Sequence, residues 1–97
     1  MNGLRFEWDS RKNQSNIQRH GIPFEEAQTA FMDDKGILIG DPDHSEAEDR
    51  FVLLGLSLRL RLLVVSHSYR QDDVVRIISA RKANRMETGA YIRRWKP

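Results

Sequence analysis

LLVVSHSYRQDDVVRIISARK, residues 62–82, decides the fold. Two apolar runs, RLLVVSHSY (61–69) and VVRIISA (74–80), flank a short polar stretch, the pattern of a β-hairpin. The preceding run FVLLGLSL (51–58) adds a second hairpin, so these residues are expected to form an antiparallel meander. If the last turn runs through Gln71 and Asp72, Tyr69 faces Val74 and His67 faces Arg76, because loop length fixes register. One more residue in the loop would change that pairing. Arg76 and Arg81 are five apart and would point to opposite faces of an unbroken strand. The strand is therefore expected to end near Ala80, with Arg81 and Lys82 on the corner beyond it.

Working outward, GILIG (36–40) reads as a strand, DPDHSEAEDR (41–50) as a polar loop broken by Pro42, and FEWD (6–9) as a short alternating strand. Asp9 is placed to cap a helix that runs to about His20, where Gly21 supplies the left-handed stop. That helix is very polar, with Lys12, Asn16 and His20 in one i, i+4, i+8 row. Pro23 suits the first turn of a second helix, whose Phe24, Ala27, Gln28 and Phe31 make an apolar stripe. Asn84 with Glu87 forms a capping-box pattern for a C-terminal helix to about Trp95, weakened by Gly89. The sum is an α+β domain: an antiparallel sheet of about four strands, N-terminal helices and a C-terminal helix covering one face, and the other face open.

At 97 residues the chain has room for one core, and residues 1–97 are read as a single domain. Apolar residues make up 39% and charged residues 31%, which points to a small core and a broad interacting surface. Residues 1–58 hold six Lys/Arg and eleven Asp/Glu, net −5, whereas residues 59–97 hold ten and three, net +7. A field so divided attracts a polyanion such as nucleic acid, or an acidic protein, unless the acidic half neutralises it internally. The absence of cysteine excludes disulfides and thiol chemistry. His20, His44 and His67 form no HxxxH or HxH pair, and Asp41, Asp43 and His44 read as a solvated turn, so neither a metal nor another cofactor is expected. No apolar run reaches a membrane span and no signal-peptide stretch opens the chain, so a soluble cytoplasmic protein is expected.

FEWDSRKNQSNIQRHGIPFEEA, then EDRFVLLG, LLVVSHSYR and RIISARKANRMETGAY, together resemble the BrnT family of type II toxins, ribonucleases with a RelE-like fold. The resemblance spans roughly residues 6–91, with 33–47 least informative. It implies a toxin that cleaves RNA and halts translation, and a small BrnA-type antitoxin that neutralises it and through which the complex binds operator DNA. The family pattern puts functional positions at Lys12, His20, Glu48, Arg50, His67, Arg70, Arg76, Arg81, Glu87 and Tyr91. Metal-free RNA cleavage needs a base for the 2′-hydroxyl proton, cations for the phosphorane and an acid for the leaving 5′-oxygen. On that chemistry His67 is the acid or base, Glu48 the second candidate base, and Arg76 and Arg81 clamp the scissile phosphate with their planar forks. Arg70, Lys12 and Lys82 would hold flanking phosphates, and His20 and Arg50 would also contact RNA. Tyr91 would stack on a base or protonate the leaving group.

Each assignment has a structural rival. His67 could be a half-buried strand residue, Arg76 could lie along apolar neighbours, and Arg81 could pair with Glu87 or Glu48. Lys12 and His20 could fix the first helix, while Tyr91 and Trp95 could pack the last one onto the sheet; Trp8 reads as a core anchor. Beside the ribonuclease stand two other classes: a non-cleaving, antitoxin-bound co-repressor and a simple nucleic-acid-binding domain. The latter would need a continuous basic helix or aromatic platform, and neither is plain in the sequence. The antitoxin is expected to cover the basic C-terminal part.

Overall fold

The computed structural model describes residues 3–44, 48–71 and 73–95. Asp9 caps the first helix, α1 (Ser10–His20), its carboxylate accepting from the N–H groups of Arg11 at 2.8 Å and Lys12 at 3.2 Å. Those bonds, Lys12 first, hold its pKa below the usual value. Gly21 ends the helix at φ 72°, a conformation that costs glycine little. The second helix, α2 (Phe24–Thr29), begins one residue after Pro23, which is its N-cap, and a 3-10 turn at Ala30–Met32 follows it. The third, α3 (Arg85–Arg93), opens with the predicted capping box: Asn84 Oδ1 accepts from Glu87 N–H and Glu87 Oε1 from Asn84 N–H, each at 2.8 Å.

Five strands form one sheet: β1 (Arg5–Glu7), β2 (Ile37–Gly40), β3 (Arg50–Leu56), β4 (Leu62–Tyr69) and β5 (Val74–Lys82), in the order β1-β5-β4-β3-β2. The predicted meander is present as β3–β4–β5, and β2 joins it antiparallel to β3. The sheet differs from the expected one in strand number and in direction. The sheet has five strands, not about four, and it is mixed, because β1 pairs in parallel with β5. A parallel partner so far away in sequence leaves no hairpin signal, and β1 is only three residues long.

One face of the sheet carries the main core. Leu53, Leu63, Val65, Val75, Ile77 and Ala80 meet Ile22, Phe24, Ala27 and Ala30 from the N-terminal helical region, with Trp8 packed against them as an anchor. Each fully buried large apolar side chain here contributes roughly 1.5–3 kcal/mol. The hairpin between β3 and β4 is pinned to α2 by Glu26, which accepts from Ser57 Oγ and pairs with the guanidinium of Arg61. The other face is not wholly open, contrary to expectation: α3 lies on it, Tyr91 packing against Leu54 and Val64. It leaves part of that face uncovered, where the groove described below runs, while Ser68 on the same face is fully buried.

Where β3 passes under the 3-10 turn, a Cβ on Gly55 would sit 2.8 Å from the carbonyl oxygen of Ala30. Backbone cannot yield as a flexible side chain can. Gly55→Ala should therefore destabilise the fold by about 1–3 kcal/mol. Urea unfolding should show a lower midpoint at unchanged slope.

Candidate functional site

The hairpin between β4 and β5 is one residue longer than a two-residue turn allows, with Arg70 N–H donating to Val74 O at 2.9 Å. Asp72, half of the predicted turn, lies outside the described residues. The register is consequently Tyr69↔Val75, Ser68↔Arg76 and His67↔Ile77. His67 does not face Arg76. It points into the helix-covered face, where it is 0% exposed, and its ring meets those of Phe31, Phe51 and Tyr69. Its Nδ1 lies 3.0 Å from Val65 O, its Nε2 has no partner among the described residues, and burial pushes its pKa down.

A second irregularity brings the two arginines together. Ser66 pairs with Ser79 and His67 with Ile77, so Ile78 has no counterpart and β5 is bulged there. An extra residue flips the alternation beyond it. Arg76 and Arg81, five apart, thus share one face, and β5 runs on to Lys82 instead of stopping near Ala80. Paired residues in a sheet lie on the same side, so this open face carries in successive rows Glu7, Arg76, Ser68 and Arg50; then Ser79, Ser66, Val52 and Ile39; then Arg81, Val64, Leu54 and Ile37. Lys82, opposite Leu63, belongs to the other side.

Local pairs orient the charges. Arg76 Nη1 donates to Glu7 Oε2 at 2.9 Å, and Arg70 Nη1 lies 3.9 Å from the same oxygen. Ser68 Oγ donates to Glu48 Oε1 at 3.0 Å, which holds that exposed carboxylate over the row between Arg76 and Arg50. Glu87 takes both ends of the Arg81 fork at 2.8 Å each. The Arg81 hydrogen bonds hold the Glu87 carboxyl below its ordinary pKa, and Glu87 raises that of Arg81 in turn. Beside Arg81 runs a groove of about 740 Å³, floored by Val52, Val64, Ser66 and Ser79 and rimmed on the α1 side by Lys12, Arg19 and His20.

Lys12, His20, Arg81 and Glu87 therefore come together in the groove, and Arg50, Arg76 and Glu48 lie on the same face. Arg70 sits beside Glu7 at the sheet end. His67, Lys82 and Tyr91 are not brought to the groove. Tyr91 is buried, and its hydroxyl donates to Asp33 Oδ2 at 2.6 Å; burial first, then Asp33, raises its pKa. Arg19, Ser66, Ser79 and Asn16 line the groove although no sequence motif marks them as site residues. Arg19 stands three residues after Asn16 on the polar helix, a spacing that could have pointed to it; the serines become visible only with the register.

The model of a family described as the ribonuclease toxin BrnT of type II toxin–antitoxin systems matches residues 8–87. The chain belongs to the BrnT family. Membership makes it a ribonuclease toxin of a type II system, with an antitoxin as partner. Its fold is similar to the crystal structure of the Brucella abortus ribonuclease toxin BrnT, with a TM-score of 0.66 and 23% identity over 84% of this chain and 99% of that one. No curated protein matches the sequence significantly. No described helix of this BrnT-family chain is long and apolar enough to cross a membrane.

His67 gives a pH dependence. Burial lowers its folded pKa below the ordinary value of 6.5, so the unfolded chain takes up a proton first on acidification. The stability that neutral His67 contributes is complete above pH 6.5 and is lost as pH falls from there toward the folded pKa. Glu26 and Glu87, whose pKa values are lowered by Arg61 and Arg81, act only below their ordinary value of 4.5. Urea unfolding between pH 7 and 5.5 should show stability declining by at most about 1.4 kcal/mol per pH unit for this one proton. His67→Leu should remove that decline.

Proposed function

We propose that the bulged face of the sheet is the RNA-cleaving site and that it works without a metal ion. The observation that carries this is the parity change at Ile78, which puts Arg76 and Arg81 on one face with Arg50, beside a groove rimmed by Lys12, Arg19 and His20. Rows on one face of a strand are about 6.6 Å apart, so Arg76 and Arg81 stand about 13 Å apart at the backbone. Long side chains from both ends can serve one phosphate and its neighbours, and the Ser66 and Ser79 hydroxyls lie between them.

In this reading a base takes the proton of the 2′-hydroxyl, the freed oxygen attacks phosphorus, and the P–O5′ bond breaks as an acid protonates the leaving oxygen. The products are a 2′,3′-cyclic phosphate and a 5′-hydroxyl. Arg81 and Arg76 neutralise the phosphorane, each offering paired N–H donors that lysine lacks. His20, a residue lining the groove, takes the acid–base role that the sequence assigned to His67; Glu48, oriented by Ser68, is the second candidate. Lys12, Arg19, Arg50 and Arg70 hold flanking phosphates. His67, enclosed on the other face, supports the core, and Tyr91 fixes α3 through Asp33. A BrnA-type antitoxin would act by covering the groove, and operator DNA would be bound only through that complex. A single toxin domain, kinship with RelE-like toxins and a cytoplasmic location belong to the same proposal.

The test is to incubate the partner-free chain with naked RNA in excess EDTA, beside Arg81→Ala, His20→Ala and His67→Leu variants of confirmed folding. The parent should leave 2′,3′-cyclic ends, and a BrnA-type antitoxin should stop it. Arg81→Ala should slow cleavage by about 10²-fold or more and His20→Ala by about 10²–10⁴-fold. His67→Leu should stay within a few-fold of the parent. Undiminished cleavage by Arg81→Ala would contradict the site. Binding of antitoxin without cleavage by the parent, on naked RNA or translating ribosomes, would favour the non-cleaving co-repressor.

A further inference from the structure

Lys12, Asn16 and His20 form one row of α1, but the middle residue behaves unlike its neighbours. Lys12 and His20 are exposed along the groove, whereas Asn16 is 5% exposed and turned into the sheet. Its Nδ2 donates to Ala80 O and to Ile22 O, both at 2.8 Å, and its Oδ1 accepts from Ala80 N at 3.0 Å. β1 ends at Glu7, opposite Arg76, so no described strand pairs with β5 beyond that point on its outer side. A carboxamide presents a donor and an acceptor side by side, as a peptide group does, and it satisfies both backbone groups of Ala80. Ala80 sits two residues after the unpaired Ile78 and immediately before Arg81. Aspartate would lack the donor, and glutamine would hold the helix farther from the strand.

We propose that Asn16 is a positioning residue for RNA cleavage. By standing in for a strand at Ala80, it fixes the bulged course of β5 that aims Arg81 into the groove. By the same bonds it holds α1 so that Lys12 and His20, each about 6 Å along the helix axis from it, stay at a set distance from Arg81. The inference rests on the groove being the RNA site.

The experiment compares Asn16→Ala and Asn16→Asp with Asn13→Ala, which breaks the Asn13 bonds to Phe24 N–H and Glu25 and does not touch the groove. All are assayed below their unfolding midpoints for kcat, KM and the salt dependence of binding to an RNA oligonucleotide that carries a 2′-deoxy nucleotide at the cleaved position. Both Asn16 variants should lose at least tenfold in kcat at saturating RNA. Asn16→Ala should also flatten the plot of log K against log[salt] by about 0.7 for each phosphate that the displaced cations no longer neutralise. Combining Asn16→Ala with Lys12→Ala should weaken binding less than the product of the two single effects, because both changes remove the same Lys12–phosphate interaction. Asn13→Ala should lower the midpoint and leave kcat unchanged. If the Asn16 variants lose stability only, with kcat unchanged and effects that multiply, the positioning role is overturned. It is also overturned if neither variant folds while Asn13→Ala does, since the residue then serves the whole fold. If Lys12→Ala and Arg81→Ala alter neither binding nor cleavage, the groove reading itself fails, and the role of Asn16 with it.

Discussion

One unpaired residue, Ile78, sets the chemistry of this sheet. A regular strand would send Arg76 and Arg81 to opposite sides, one of them into the core beside Val65 and Ile77. Burying an unpaired guanidinium there would cost several kcal/mol. The extra residue keeps Val75, Ile77 and Ala80 on the core side while placing both arginines on the other. The bulge is thus where the packing requirement and the charge requirement of β5 are reconciled. A strand edge is the natural place for it, because the backbone groups freed beyond β1 can be met by a side chain, here that of Asn16.

The two faces then divide the work. The helix-covered side supplies cohesion through Ile22, Phe24, Leu63, Val65, Val75 and Ile77, with His67 enclosed among aromatic rings. On the opposite side the cations are oriented by carboxylates at their flanks: Glu7 for Arg76 and Glu87 for Arg81. Such half-exposed pairs add little to stability, but they limit the orientations a long side chain can take. Glu87 has two tasks, capping α3 and holding Arg81, so the last helix and the groove share a residue. In the cleavage proposed above the nucleophile is the RNA's own 2′-hydroxyl, so what such a face would supply is charge stabilisation and proton transfer.

Much of the fold is legible in local signals. The capping aspartate, the Gly21 stop, the capping box at Asn84 and the β3–β4–β5 meander are all present where short-range patterns put them. What escapes depends on distance or on a single residue of register. The pairing of β1 with β5 joins chain segments nearly seventy residues apart at Glu7 and Arg76. Loop length moves the His67 partner from Arg76 to Ile77, and no propensity marks Ile78 as unpaired. Arg50, Arg76, Arg81, Lys12 and His20 are recognisable from the family pattern and chemistry, but that pattern cannot say which residues share a face. Hence sequence alone groups His67 with the arginines and leaves Asn16, Ser66 and Ser79 unmarked as site residues.

The most direct test of the account is an NMR titration of the folded chain with an RNA oligonucleotide whose scissile 2′-hydroxyl is replaced by hydrogen, following backbone amides and arginine side-chain resonances. Shifts should be concentrated at Lys12, His20, Arg50, Ser66, Arg76, Ser79 and Arg81, weakening with salt as phosphate contacts do. Residues Phe24, Ala27 and Val75 on the helix-covered side should stay unmoved. Shifts confined to that side, or to the exposed ends of α3, would contradict it.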